Sequence, residues 1–185
     1  MAATVALLLG AAIAGFGQQT QGLTGRQAQP LRNKKAKAIV FFFVQTSCPI
    51  SNRYAPEIKR LYAKFAPAGV KFWLVYPDGD DSRGGIRRHL QDYGYKLNAL
   101  RDVRQALVKA AGASVTPEAA VFVPSAQGPQ LVYRGRIDDR FVAYGKTRPV
   151  PTSRDVEQML TAIIAGQPVT ATTTVALGCA IEAVK

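Results

Sequence analysis

The 185-residue chain carries 24 lysines and arginines against 12 aspartates and glutamates, a formal charge of +12, and its pI is near 10.1. An apolar fraction of 48% with 19% charged residues excludes a disordered chain, and the length fits one domain with a real core. Two cysteines without a CxxC, and one histidine (His89), exclude a disulfide-dense scaffold and paired-cysteine metal sites, and leave multi-histidine or Ser-His-Asp chemistry without support.

No charged side chain precedes Arg26. Val5 to Ala14 is apolar and ends in Ala12-Ile13-Ala14, a small-residue cleavage pattern. The run is about ten residues, too short to span roughly 30 Å of hydrocarbon. Residues 1–17 therefore read as a signal peptide or apolar N-terminal segment, although a basic n-region is missing. Export to a periplasmic or other extracytoplasmic space follows, with cytoplasmic retention and a helix packed on the domain as the alternative. Residues 18–36, with Arg26, Arg32, Lys34 and Lys35, read as a mobile basic linker. Membrane association is expected only through the N-terminal segment. No stacking motif or DNA-binding pattern accompanies the charge, so nucleic acid is not an expected partner.

Ala38–Val44 (AIVFFFV) reads as a strand buried on both faces. Ser51–Phe65 has helical apolar spacing through Tyr54, Ile58, Leu61, Tyr62 and Phe65. Val70–Tyr76 is a second buried strand, Ser82–Tyr93 a surface helix containing His89, and Leu97–Leu100 a short extended piece. Asp102–Ala111 reads as a helix anchored by Leu107. Ala119–Val123 and Gln130–Ile137 form a hairpin around the turn residues Ser125 to Gly128. Thr152 or Ser153 is positioned to cap a last helix ending at Ala165, before Gly166 and Pro168. A polar, flexible-looking tail over 169–185 carries Gly178-Cys179, and the domain proper spans 37–168.

Cys48 falls where a buried strand hands over to a helix, one residue before Pro49. Unpaired N–H groups at a helix start stabilise a thiolate, Pro49 is tolerated there, and Arg53 adds nearby positive charge. Such a thiol suits disulfide exchange or peroxide reduction. The alternative is a buried, inert cysteine.

The run FFFVQTSCPISNRYAPEI, the β-α-β pattern, Val115-Thr116-Pro117 before a strand and the following hairpin resemble the thioredoxin-like fold. More narrowly they are similar to bacterial redoxin-domain proteins of the thiol-peroxidase and thiol–disulfide-reductase group. The resemblance extends over residues 37–179 and includes Val132-Tyr133-Arg134-Gly135-Arg136 and the terminal Gly178-Cys179. It implies an α/β chain folded as a three-layer α/β/α sandwich with a central mixed sheet. It also implies that Cys48 is the attacking cysteine and that Pro117 is a cis-proline facing it. Thr116 then offers backbone atoms to an extended substrate.

Two departures qualify the resemblance. Thioredoxin-type reductases carry a second cysteine where this chain has Ser51, so no disulfide forms within Cys-Pro-Ile-Ser. Peroxiredoxins place Thr or Ser where Gln45 stands and Pro where Phe41 stands, while Thr46 is nearer the thioredoxin pattern. Cys179 has three readings: a resolving thiol for Cys48, a static disulfide partner, or a free terminal thiol. Arg134 and Arg136 alternate to one strand face, and Arg136 is a support candidate for the thiolate. Glu118 is either a proton acceptor near the site or a strand-entrance residue, and Asp138-Asp139 reads as a turn.

The expected activity is thiol–disulfide oxidoreduction through Cys48, with Pro49, Ser51, Thr46, Thr116 and Pro117 around it and Cys179 as possible resolver. A thiol peroxidase and a non-catalytic binding module are the alternatives. No cofactor and no metal are expected. Partners are a protein or small-molecule disulfide, thiol or hydroperoxide, and an external thiol reductant.

Overall fold

The computed structural model describes residues 20–184, so the expected signal segment lies outside the described residues. β3 (Ala38–Phe43) is the axis of the molecule, and every residue in it is buried. Its alternation splits the core in two: Ala38, Val40 and Phe42 enter one apolar cluster, and Ile39, Phe41 and Phe43 enter the other. A strand with helices on both faces must read as a continuous apolar run, and AIVFFF does.

Before β3 come β1 (Thr20–Gly22), β2 (Gln27–Ala28) and a short 3-10 turn at Pro30–Arg32. After it come α1 (Pro49–Arg53), α2 (Ala55–Phe65), β4 (Val70–Tyr76), α3 (Arg83–Asp92) and β5 (Asn98–Arg101). Next are α4 (Ala106–Ala111), β6 (Val115–Thr116), β7 (Glu118–Ser125) and β8 (Gly128–Gly135). The chain closes with β9 (Phe141–Ala143), β10 (Lys146–Thr147), α5 (Asp155–Ile164), β11 (Thr172–Thr173) and β12 (Cys179–Ala180).

Among the described residues eight strands form one sheet in the order β11-β8-β7-β3-β4-β5-β1-β2. β3, β4 and β5 are mutually parallel, whereas β7 runs antiparallel to β3 and β8 antiparallel to β7. Ile58 and Leu61 of α2, Ile86 of α3 and Leu160 of α5 cover one face, and Leu107, Val108 and Ala111 of α4 cover the other. This is the mixed-sheet α/β/α sandwich of the thioredoxin-like fold.

The helical pattern over Ser51–Phe65 breaks into two helices at Tyr54. Pro56 has no N–H to give to the carbonyl four residues back, so the ladder cannot continue through it. Within the stretch read as a mobile linker, Thr20–Gly22 and Gln27–Ala28 are strands of the sheet. β1 pairs with the edge of β5, Arg83 donates to Gln21 Oε1 at 2.7 Å, and Arg87 donates to Leu23 O at 2.8 Å. The tail is likewise built in, because β11 adds in parallel to β8. Thr174 then donates its N–H to Arg134 O at 3.0 Å, and its hydroxyl meets Tyr133 Oη at 2.7 Å and accepts from Arg136 N at 3.1 Å. Gly135 (φ +143°) makes this possible, since a Cβ there would overlap Thr174.

Neither Thr152 nor Ser153 caps α5. Asp139 captures both of their N–H groups, at 2.7 and 3.0 Å, together with the Thr152 hydroxyl, and the helix begins at Asp155. α4 also starts later than its pattern suggests, because Asp102 stands outside it as an acceptor for Ala106, Leu107 and Val108 N–H. Asp138 accepts a hydrogen bond from the buried Tyr54 hydroxyl at 2.7 Å.

Candidate active site around Cys48 and Cys179

Cys48 is the N-cap residue of α1, with extended backbone (φ −81°, ψ 113°), and Pro49 takes the first helical position. Its N–H bonds Gln45 O at 3.2 Å and its carbonyl accepts from Asn52 N at 3.1 Å. The side chain is 1% exposed. Cys48 forms a disulfide with Cys179, the two Cα atoms 6.2 Å apart, inside the 4.4–6.8 Å that bridged cysteines require. The question left open by the sequence, whether these cysteines meet, has a direct answer.

Thr116 and Pro117 face this disulfide. The Thr116–Pro117 peptide bond is cis, and Thr116 O lies 3.1 Å from Cys48 Sγ. The Thr116 hydroxyl donates to Cys179 O at 3.5 Å. β12 runs antiparallel to β6, with Cys179 opposite Thr116. Glu118, buried at the start of β7, accepts N–H bonds from Ser114 (2.7 Å) and Val115 (3.3 Å) and so braces the segment leading to Thr116. It is a support for the loop, at the strand entrance.

Ser51 sits one turn into the helix from Cys48 and is 1% exposed, and its hydroxyl has no hydrogen-bond partner among the described residues. Thr46 is committed elsewhere: its hydroxyl bonds the Asp81 carboxylate and its carbonyl accepts from Asn52 Nδ2 at 3.1 Å. Burial raises the Asp81 carboxyl above its usual range, and the Thr46 bonds oppose that rise. Arg136 forms a two-point pair with Asp155 at the start of α5, at 3.0 and 3.2 Å. Arg134 donates to Gly112 O and lies 3.9 Å from Glu118.

His89 is not a surface residue. It is buried against Tyr93 and Tyr95, whose rings lie 4.7 and 5.8 Å from the imidazole. Asn52 Nδ2 gives its hydrogen to Thr46 O, which turns Asn52 Oδ1 toward His89 Nε2 at 2.8 Å. Nε2 therefore carries the proton, and Nδ1 accepts from the Tyr76 hydroxyl at 2.9 Å. The chain Tyr76–His89–Asn52–Thr46 fixes the loop that precedes Cys48. Burial pushes the His89 pKa below its ordinary value, with Asp92 opposing. A base held neutral in this way stabilises the fold above its unfolded pKa, and that stabilisation is lost as pH falls through the folded value. As the sequence holds one histidine, a single imidazole resonance followed by NMR is expected to titrate below pH ~6.5. A midpoint at or above that value would contradict the buried neutral assignment.

Three contacts to the tail have no sequence signature. The Tyr144 hydroxyl donates to Gly178 O at 2.7 Å, Ile181 N donates to Ser114 O at 2.9 Å, and Gln105 Nε2 donates to Glu182 O at 2.5 Å. Only Gly178, next to Cys179, marks the place in the sequence. Among the described residues no group of three or more His, Cys, Asp or Glu side chains could hold a metal ion. No described helix is long and apolar enough to cross a membrane.

The AhpC/TSA family model matches residues 10–130. Among solved structures, an uncharacterized conserved protein from Geobacillus kaustophilus superposes with a TM-score of 0.74 at 24% identity, covering 89% of this chain and 87% of its own. A hypothetical protein from Sinorhizobium meliloti 1021 gives 0.74 at 22% identity, covering 89% of each chain. A Chlorobium tepidum protein provisionally named thiol:disulfide interchange protein DsbE gives 0.56 at 17% identity, over 78% of this chain and 90% of its own. No curated protein matches the chain.

Proposed function

Since the chain belongs to the AhpC/TSA family, we propose that it is a thiol–disulfide oxidoreductase in which Cys48 and Cys179 alternate between dithiol and disulfide. The observation that carries this reading is the bridge itself, which joins a helix-start cysteine to a cysteine 131 positions away. Cys179 supplies the partner that Ser51 does not. The provisional name of the Chlorobium tepidum protein points the same way.

In the reduced protein the start of α1 favours the Cys48 thiolate, and Ser51, three residues on, leaves a buried hydroxyl without a partner on the same helix. Cys48 Sγ attacks one sulfur of a substrate disulfide, so a Cys48–substrate disulfide forms and the other substrate sulfur leaves as a thiolate. Cys179 Sγ then attacks Cys48 Sγ, which restores the internal disulfide and frees the second substrate thiolate. An external dithiol returns both cysteines to thiols and is itself oxidised to a disulfide. Pro49, Thr46, Thr116 and Pro117 shape the surroundings of Cys48, whereas Arg136 is held by Asp155. The Cys48–Cys179 bridge suits a protein that works outside the cytoplasm, where disulfides persist.

The family also holds open a second reading, a thiol peroxidase, in which a hydroperoxide oxidises Cys48 to a sulfenic acid that Cys179 resolves. Gln45 and Phe41 in place of the usual pocket residues, and the engagement of Arg136 with Asp155, favour the reductase. Turnover of a protein disulfide such as insulin, driven by a dithiol, separates the two. Cys48→Ser is expected to lower that rate by roughly a hundredfold or more, and Cys179→Ser to accumulate a mixed disulfide on Cys48. Peroxide consumption without insulin reduction would select the peroxidase, and neither activity would leave a binding module.

A further inference from the structure

The tail makes more contacts than a disulfide alone needs. Strand pairing to β6, the Ile181–Ser114 and Gln105–Glu182 bonds and the Tyr144 bond to Gly178 hold residues 178–182 extended against the Thr116 edge. Main-chain pairing along an exposed edge is a general way of binding an extended polypeptide. Past Cys179 the tail lines a cavity of about 490 Å³ together with Gln45, Asp78, Gln105 and Thr116. The tail thus lies along a groove that runs on from the reactive sulfur.

That groove has a steric filter. The Thr116 carbonyl oxygen lies 3.1 Å from Cys48 Sγ and also lies against Gly178. Any Cβ at position 178 would overlap the Thr116 carbonyl oxygen and carbon and press on Pro117 N. These are backbone atoms, which cannot swing aside as the end of a side chain can. The residue before a cysteine seated on Cys48 in this register must therefore be glycine.

We infer that residues 178–182 are a resident copy of the ligand this groove takes: an extended polypeptide segment whose reactive cysteine directly follows a glycine. The inference rests on the oxidoreductase reading and adds its substrate class. When an external dithiol reduces Cys48–Cys179, two electrons and two protons convert the disulfide to two thiols, and β12 lifts from β6. A substrate strand takes its place, and its cysteine sulfur bonds Cys48 while its former partner sulfur leaves as a thiolate. Return of β12 displaces that strand as Cys179 Sγ attacks Cys48 Sγ.

The test uses full-length Cys179→Ser in reduced form and two peptides, Val-Ala-Leu-Gly-Cys-Ala-Ile and the same peptide with valine replacing glycine. Each peptide cysteine is carried as a mixed disulfide with thionitrobenzoate, whose coloured anion is released when Cys48 attacks the peptide sulfur. The glycine peptide is expected to react roughly tenfold faster or more. A small aromatic disulfide, which needs no groove, reports Cys48 reactivity separately. Equal peptide rates with a reactive Cys48 overturn the groove assignment and leave the oxidoreductase standing. An unreactive Cys48 in all three assays overturns both. In the wild-type protein, the Ile181 amide is expected to exchange hydrogen about tenfold faster or more after reduction, and unchanged protection would rule out the lifting of β12.

Discussion

Reduction of the Cys48–Cys179 disulfide is expected to lower the unfolding free energy by about 5 kcal/mol. The bridge closes a loop with a sequence separation of 131, which contains most of the domain. Cross-linking over such a length removes conformational freedom mainly from the unfolded chain. The folded chain depends on it little, because β3, β4, β7 and β8 pair with one another and not through the tail. Urea unfolding of the oxidised protein and of the Cys48→Ala, Cys179→Ala double variant measures the difference. The oxidised protein should also show the shallower denaturant slope, since its unfolded state is more compact. Coincident unfolding curves would show that the bridge does not constrain the denatured ensemble.

The second large effect belongs to Asp102. It is 0% exposed, and its two carboxylate oxygens accept the N–H groups of Ala106, Leu107 and Val108 at 2.9, 2.8 and 3.1 Å. These are donors that the first turn of α4 would otherwise leave unpaired. Asp102→Ala leaves three of them without an acceptor, at a cost of about 2–4 kcal/mol. Burial pushes the Asp102 carboxyl up to about 6 from 3.8, and the three N–H groups only partly offset it. The stability this raised value confers is present in full below pH ~4 and is lost as pH rises through about 6. The total is about 3 kcal/mol, at 1.36 kcal/mol per pKa unit. Asp102→Asn keeps an acceptor but does not titrate. Wild-type stability relative to that variant should therefore fall between pH 4 and pH 7, by urea unfolding at intervals across the range. Parallel profiles would mean that Asp102 does not titrate in that window.

The parts of the fold legible in the sequence are those whose signal is local. β3 is buried on both faces and β4 is buried except at Lys71 and Trp73, so AIVFFF and VKFWLVY need no partner to be recognised, and β4 runs over the expected Val70–Tyr76. Cys48 is legible because Pro49 can only begin a helix after it. The outer strands are a different case. β1, β2, β11 and β12 have two or three residues each, too few for any periodicity, and they exist because the edges of β5, β8 and β6 offer unpaired main-chain groups. His89 misleads for a related reason. Arg87 and Arg88 beside it are exposed, but Ile86 and His89 share the buried face of α3, and Tyr93 and Tyr95 fold over the imidazole from beyond the helix. Asp102 resembles the first residue of its helix, whereas Gln105, at φ 54°, turns the chain between the two.

The docking of Thr174 against Gly135 sets the length of a tether. Thr174 is pegged to β8 by its N–H and its hydroxyl, independently of the cysteines. Once the internal disulfide opens and β12 lifts, the tether between this peg and the Cys179 thiol is the few residues from 175 to 179. A flexible chain of about five residues has a root-mean-square reach of roughly 12 Å. Confinement within such a radius keeps the Cys179 thiol at a local concentration of millimolar or more around Cys48. A free thiol in solution must exceed that concentration to intercept the mixed disulfide. The peg therefore makes release of substrate nearly independent of outside thiols and leaves only re-reduction to them.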